Sequence, residues 1–105
     1  QVHAHKIITG RRESFKTFRL HAGLSGFSNK DESEHDVFTT GHGGASISTS
    51  LGIAVGQRIA DKAARKVVAV IGDASLVSGM AFEALNHAGH LKDNLIVILN
   101  FYNRL

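Results

Sequence analysis

Cysteine and proline are both absent from the 105 residues of this chain. Without cysteine there are no disulfides, no zinc–thiolate centres and no thiol nucleophile. That composition fits a reducing cytoplasm. Without proline, chain reversals depend on Gly, Asn, Asp and Ser. Long apolar runs are missing too. A bilayer-crossing helix needs roughly 18 or more consecutive apolar residues, and none is present, so no membrane partner is expected. The start, Gln1-Val2-His3-Ala4-His5-Lys6, has neither an initiator Met nor the charged-then-apolar pattern of a signal peptide. With an end that falls directly after an apolar run, the chain reads as an excerpt. Its length suffices for one small domain and not two.

The formal charge is +3, and five of the twelve basic residues, Lys6, Arg11, Arg12, Lys16 and Arg19, crowd one short segment. Such a cluster contacts phosphate or nucleic acid, or it forms a solvated face. No aromatic residues interleave to stack bases, so the solvated face is the expectation and no nucleic acid partner is assigned. Phe15 and Phe18, at helical spacing, are expected to face a core. Seven histidines invite a metal reading. Yet no His-Glu-x-x-His pattern or tight set of three or four ligands occurs, and zinc is not expected. His42, presented by the glycine-rich Gly41-His42-Gly43-Gly44, is the histidine most suited to a ligand, with a structural role as its alternative.

Residues 1–40 lack a clear period. The stretch 22–34, rich in Gly, Ser and charge, reads as a loop longer than a connector needs, so it has a role of its own or belongs to a larger assembly. From Gly41 onward the pattern sharpens. Ile47, Leu51, Val55 and Ile59 recur every four residues, a helical stripe. Gly52, Ala54 and Gly56 on other sides predict a helix buried nearly all round. Val67-Val68-Ala69-Val70-Ile71 and Leu95-Ile96-Val97-Ile98-Leu99 have the length and β-branched content of buried parallel strands. Between them, 76–89 reads as a helix with Met80, Ala81, Ala84, Leu85 and Ala88 on its apolar face and Gly89 at its C-terminus. Strand, helix, strand makes a βαβ unit. The fold class is therefore α/β with a parallel sheet, built as a loop-rich segment 1–40 followed by a helix and βαβ core in 41–105.

In open parallel sheets ligands bind at the carboxyl ends of the strands. Asp73 stands at such an end, where a helix is expected to open. Two readings compete: Asp73 caps the helix, or it holds a hard cation that bridges to a phosphate resting on the helix N-terminus. Magnesium suits the second reading, since it takes oxygen ligands and accepts phosphates as partners.

Gly72-Asp73-Ala74-Ser75, followed by a helix, a strand and an Asn near that strand's end, resembles the thiamine-diphosphate motif of Gly-Asp-Gly, a spacer and Asn. Other blocks are similar to 1-deoxy-D-xylulose-5-phosphate synthases in particular, and they run in that family's order. They are 5–12 (His-Lys-Ile-Ile-Thr-Gly-Arg-Arg), 23–27 (Gly-Leu-Ser-Gly-Phe), 32–38 (Glu-Ser-Glu-His-Asp-Val-Phe), Gly41-His42 with Ser46-Ile47-Ser48, and 79–89. The resemblance implies part of a thiamine-diphosphate-binding domain, with thiamine diphosphate and Mg2+ as cofactors. The family's enzyme is a transferase that condenses pyruvate with glyceraldehyde 3-phosphate, losing carbon dioxide, for isoprenoid, thiamine and pyridoxal synthesis. It is a cytoplasmic protein, and a homodimer is implied for the intact parent.

By position, Asp73 corresponds to a magnesium ligand, and Ala74 and Ser75 to backbone contacts of the diphosphate. Gly41, His42 and Gly43 match the family's Gly-His-Ser cofactor contact. The chain departs from the family at three places. Ala74 replaces the third residue of Gly-Asp-Gly. Gly43 replaces a Ser. Tyr102 falls where the family's magnesium-ligating Asn stands, with Phe101 at the preceding acidic position. Tyr102 is thus assigned to the cofactor site, and Asn103, one residue late, is the remaining candidate metal ligand. A one-residue slip in an extended segment reverses the side chain. No catalytic residue is assigned, since the Glu that activates the cofactor belongs to a later domain of the family, and the isolated fragment is expected to be inactive. A non-catalytic phosphate- or nucleotide-binding α/β module, or another transketolase-like enzyme, is the alternative.

Overall fold

The computed structural model describes residues 2–61 and 65–101. The chain divides into two compact units, residues 1–42 and 43–105.

In the second unit, β1 (Val67–Gly72) and β2 (Leu95–Asn100) pair in parallel, with Val67 opposite Leu95 and Gly72 opposite Asn100. A parallel pair needs a crossover. Here α3 (Asp73–Leu76) and α4 (Gly79–Leu91) supply it. The α/β class and the parallel strands expected from the sequence are what the structure has. The core joins Ile47 of α2 (Ser46–Ile59) to Ala69 and Ile71 of β1 and to Ala81 and Ala84 of α4, with Leu76, Leu85, Leu95 and Val97 around it.

Three local expectations need correction. The helix between the strands is not continuous over 76–89. One turn forms at Asp73–Leu76, and α4 begins only at Gly79, with Ser78 extended (ψ 142°) and its hydroxyl accepting the Ala81 N–H at 3.3 Å. A Ser with side-chain oxygen free to cap competes with helix continuation, and here it starts a new helix. Gly89 does not end α4 either. The helix runs to Leu91 and closes on Lys92 in the left-handed region (φ 54°), whose N–H returns to the Ala88 carbonyl. Third, α2 is buried along one stripe only: Ile47, Leu51 and Ala54 are inside, while Ile59, Gly52 and Gly56 face outward, as does Met80 of α4. The strands likewise have one covered face. Val67, Ala69 and Ile71 are buried, whereas Val68, Val70, Ile96 and Ile98 on the other side remain about half exposed.

In the first unit, α1 (Val2–Lys6) continues into a wider turn, Ile7–Arg11, broken where Gly10 takes φ +88°, and then a 3-10 turn, Glu13–Thr17. Phe15 and Phe18 stack on each other at 5.6 Å and receive the edge of His3; they are half-buried in this aromatic group and do not join a buried core. The expectation of a solvated basic face holds for Arg12, Lys16 and Arg19, which are exposed, but not for Lys6 and Arg11. Lys6 is 0% exposed and its ammonium meets Glu32 at 2.5 Å. Arg11 grips Asp36 with two parallel bonds, Nη2 to Oδ1 at 2.7 Å and Nη1 to Oδ2 at 2.9 Å, and reaches Glu32 at 3.3 Å. His5 Nε2 adds a bond to Asp36 at 2.8 Å. The segment 22–34 is therefore a tethered loop, not a free one.

The Arg11 hydrogen bonds hold the Asp36 carboxyl well below the usual carboxylate range against the upward push of burial, aided by the Asn29 N–H and His5. Burial pushes the Glu32 carboxyl up, but Lys6, the Ser25 N–H and Arg11 together outweigh it and lower it. Lowered carboxyl pKa values stabilise the fold above the unfolded-state value near 4, and that contribution fades as pH falls further. Urea midpoints of the first unit, followed by the aromatic resonances of Phe15 and Phe18, should be level from about pH 7 to 5 and drop below about pH 4. An unchanged midpoint at pH 2.5 would contradict the paired, buried state of these carboxylates.

Candidate functional site

The second unit brings together two short segments, 43–46 and 73–78. β1 ends at Gly72 and delivers Asp73 to the strand tip, half-buried, where its Oδ1 accepts the N–H of Ala74 at 2.9 Å. Gly72, with no side-chain cap, is the N-cap of the one-turn α3, so Asp73 lies inside the turn rather than capping it. That geometry disfavours the pure helix-cap reading. The sequence also led us to expect a long helix dipole behind Asp73. The structure puts a four-residue turn there.

The long helix that does begin at this place is α2. Its N-cap is Ala45, with no side-chain cap, and its first turn holds no acidic residue. The first N–H groups of such a helix carry partial positive charge and lack intrahelical acceptors, which suits an anion. Ser46, its first residue, has a buried hydroxyl without a hydrogen-bond partner among the described residues. An orphaned buried hydroxyl at an uncapped helix start is what an absent acceptor would leave.

Two glycines lead into α2 along the 73–78 segment. A Cβ on Gly43 would lie 3.2 Å from the Ser75 hydroxyl. A Cβ on Gly44 would strike the Ser78 side chain, 3.0 Å from its Cβ and closer to its hydroxyl, and Gly44 has φ +82°. Gly44→Ala therefore combines left-handed strain with displacement of the α4 cap. It should cost roughly 2–4 kcal/mol, read from urea unfolding. Gly52→Ala, in open space inside α2, should instead stabilise by about 0.5–1 kcal/mol. Equal effects of the two would contradict this packing.

Of the residues the sequence pointed to, Gly43, Asp73, Ala74 and Ser75 belong to this second unit, whereas Gly41 and His42 belong to the first. There, Gly41 lies against the Phe27 ring, 3.1 Å from where a Cβ would stand, and the His42 N–H donates to the Thr40 hydroxyl at 3.3 Å with its side chain exposed. Tyr102 and Asn103 lie outside the described residues. The sequence reading missed roles for Gly44, Ser46 and Ser78. Ser46 lies in a family-like block in which the sequence assigns it no part, and Gly44 is told apart only in the structure, by its positive φ and its approach to Ser78. Among the described residues no three His, Cys or acidic side chains gather as a metal site, so a magnesium ion there would have few charged protein ligands. Magnesium tolerates this, being held commonly by one or two carboxylates with phosphate and water.

A family model described as 1-deoxy-D-xylulose-5-phosphate synthase matches residues 1–104. The chain is 56% identical over 100 residues to 1-deoxy-D-xylulose-5-phosphate synthase 1 of Geobacter sulfurreducens, covering 95% of this chain and 16% of that protein. It is 55% identical over 100 residues to the synthase of Desulfotalea psychrophila, covering 95% of this chain and 15% of the relative. The Carboxydothermus hydrogenoformans synthase gives 55% over 100 residues, 95% of this chain and 16% of its own length. The chain thus spans about one-sixth of the length of these curated relatives.

Proposed function

The chain belongs to the 1-deoxy-D-xylulose-5-phosphate synthase family, and from that premise we propose that it supplies the diphosphate- and magnesium-binding part of a thiamine-diphosphate-dependent transferase. The observation that supports this is the packing of the Gly43–Gly44 bend, at the uncapped start of α2 with its orphaned Ser46 hydroxyl, against Ser75 and Ser78, in the segment that Asp73 opens at the tip of β1. Asp73 would ligate Mg2+. The N–H groups at Ala74, Ser75 and the first turn of α2 would face the diphosphate. Gly41, His42 and Gly43 would contact the cofactor, with Tyr102 and Asn103 as the further candidates for cofactor and metal. The parent enzyme would condense pyruvate with glyceraldehyde 3-phosphate, releasing carbon dioxide, as a cytoplasmic homodimer. When bound, thiamine diphosphate supplies the electron sink for that carbon–carbon chemistry. The residues of this chain bind its charged end, orient it and neutralise it.

Calorimetric titration of the 105-residue chain with thiamine diphosphate, with and without Mg2+, tests the reading. Binding that requires Mg2+ and exceeds that of ATP supports it. Equal, metal-independent binding of both would favour a general phosphate-binding module, and no binding of either would overturn the assignment for this chain.

A further inference from the structure

The cluster of His5, Lys6, Arg11, Glu32 and Asp36 has no place in cofactor chemistry as described above, yet it is the most enclosed polar group in the first unit. Apart from the histidine, its formal charges cancel: Lys6 and Arg11 against Glu32 and Asp36. Each carboxylate also accepts one backbone N–H from seven residues upstream, Ser25 to Glu32 at 2.5 Å and Asn29 to Asp36 at 2.9 Å. The two acids thus fix the path of residues 25–29. That segment is in turn the template for the approach to Gly41–His42. Thr40 N donates to the Ser28 carbonyl at 3.3 Å, in an antiparallel bridge. The Ser28 hydroxyl donates to the Phe38 carbonyl at 2.8 Å, and the Lys30 N–H to the Thr39 hydroxyl at 3.0 Å. Phe27, with Arg19 over its ring at 5.6 Å, backs Gly41, and Thr40 accepts the His42 N–H.

We infer that Arg11, Lys6, Glu32 and Asp36 are positioning residues for the Gly41–His42 segment: the buried ion cluster sets the register of 25–29, and 25–29 sets the conformation in which Gly41 and His42 are presented. The physical reason lies in what buried charges do. Desolvation takes back much of their attraction, so apolar replacements of similar volume conserve stability. Apolar replacements cannot, however, accept the Ser25 and Asn29 N–H groups in one defined geometry. Register, more than stability, is then what the cluster supplies. The inference rests on the reading of Gly41–His42 as a cofactor contact only for its purpose; the conformational claim stands or fails by itself.

Amide hydrogen exchange of the full chain, resolved by NMR without cofactor, separates the two. In Arg11→Met/Asp36→Leu the urea midpoint is expected to stay near that of the parent, while protection at Asn29, Thr40 and His42 falls at least tenfold and that of Val68–Ile71 in β1 is unchanged. Asp36→Leu alone removes the acceptor of the Asn29 N–H and leaves Arg11 its contact with Glu32; it gives the same local pattern in case the double variant does not fold. Parent-like protection at Thr40 and His42 in either variant would overturn the inference. So would uniform loss across residues 5–42, since the cluster would then be a plain stability element. A cofactor titration that fails while the exchange pattern appears would count against the cofactor reading alone.

Discussion

Arg11→Met is expected to destabilise the first unit by about 3–5 kcal/mol, the range for removing one partner of a buried ion pair. The Asp36 side chain is 0% exposed and would keep only His5 and the Asn29 N–H. Glu32 would keep Lys6 and the Ser25 N–H. The methionine fills most of the space that the guanidinium stem occupied, so the loss is one of charge compensation and not of volume. Adding Asp36→Leu should recover most of the loss, because the uncompensated charge goes too. The exposed pair Lys16–Glu13, at 3.0 Å with both side chains about 80% exposed, provides the contrast. Lys16→Ala should change stability by no more than about 0.5 kcal/mol. Urea titrations followed by the ring resonances of His3, Phe15 and Phe18 read all of these in the unit concerned. A cost for Arg11→Met below about 1 kcal/mol, typical of surface pairs, would mean that the cluster is open to water.

Asp73→Ala should remove the magnesium-dependent part of thiamine diphosphate binding while leaving the second unit folded. A diphosphate brings several negative charges to a place where the start of α2 offers about half a positive charge. On the proposed reading the metal would neutralise much of the rest, and Asp73 would anchor it; among the described residues no group of three or more His, Cys or acidic side chains gathers to share that task. The structural cost is small. The carboxylate accepts one local bond, from the Ala74 N–H, worth on the order of 1 kcal/mol. The titrations with and without Mg2+ should then coincide in the variant and differ in the parent. If Asp73→Ala binds as the parent does, the carboxylate is no metal anchor. If the variant loses its parallel strands by circular dichroism, Asp73 is structural instead.

Much of the second unit was legible beforehand because its information is local. Alternation, β-branching and the four-residue stripe are properties of ten-residue windows, and they placed β1, β2 and α2 and put Asp73 at a strand tip. The breaks were harder. Nothing in the period of 76–89 distinguishes a continuous helix from one turn, an extended Ser78 and a new helix. That choice depends on Ser78 capping Ala81 while Gly44 packs against it from a distant segment. Burial on one strand face was equally invisible, since Val68 and Val70 are as apolar as Val67 and Ile71, and only the placement of α2 and α4 sorts them.

The ion cluster shows the division most clearly. The sequence by itself determined that five basic residues lie in one segment and that Glu32 and Asp36 lie four apart in a later loop. Charge counting then favoured solvated side chains, because an isolated charge is costly to bury. Only the tertiary structure decided that Lys6 and Arg11 meet acids 26 and 25 residues away. Pairing across such a distance is settled by how the whole chain closes on itself: desolvation is tolerable only where partner, backbone N–H and cover arrive at one point together. Local composition supplies the charges, and the closed fold alone chooses which of them face each other instead of water.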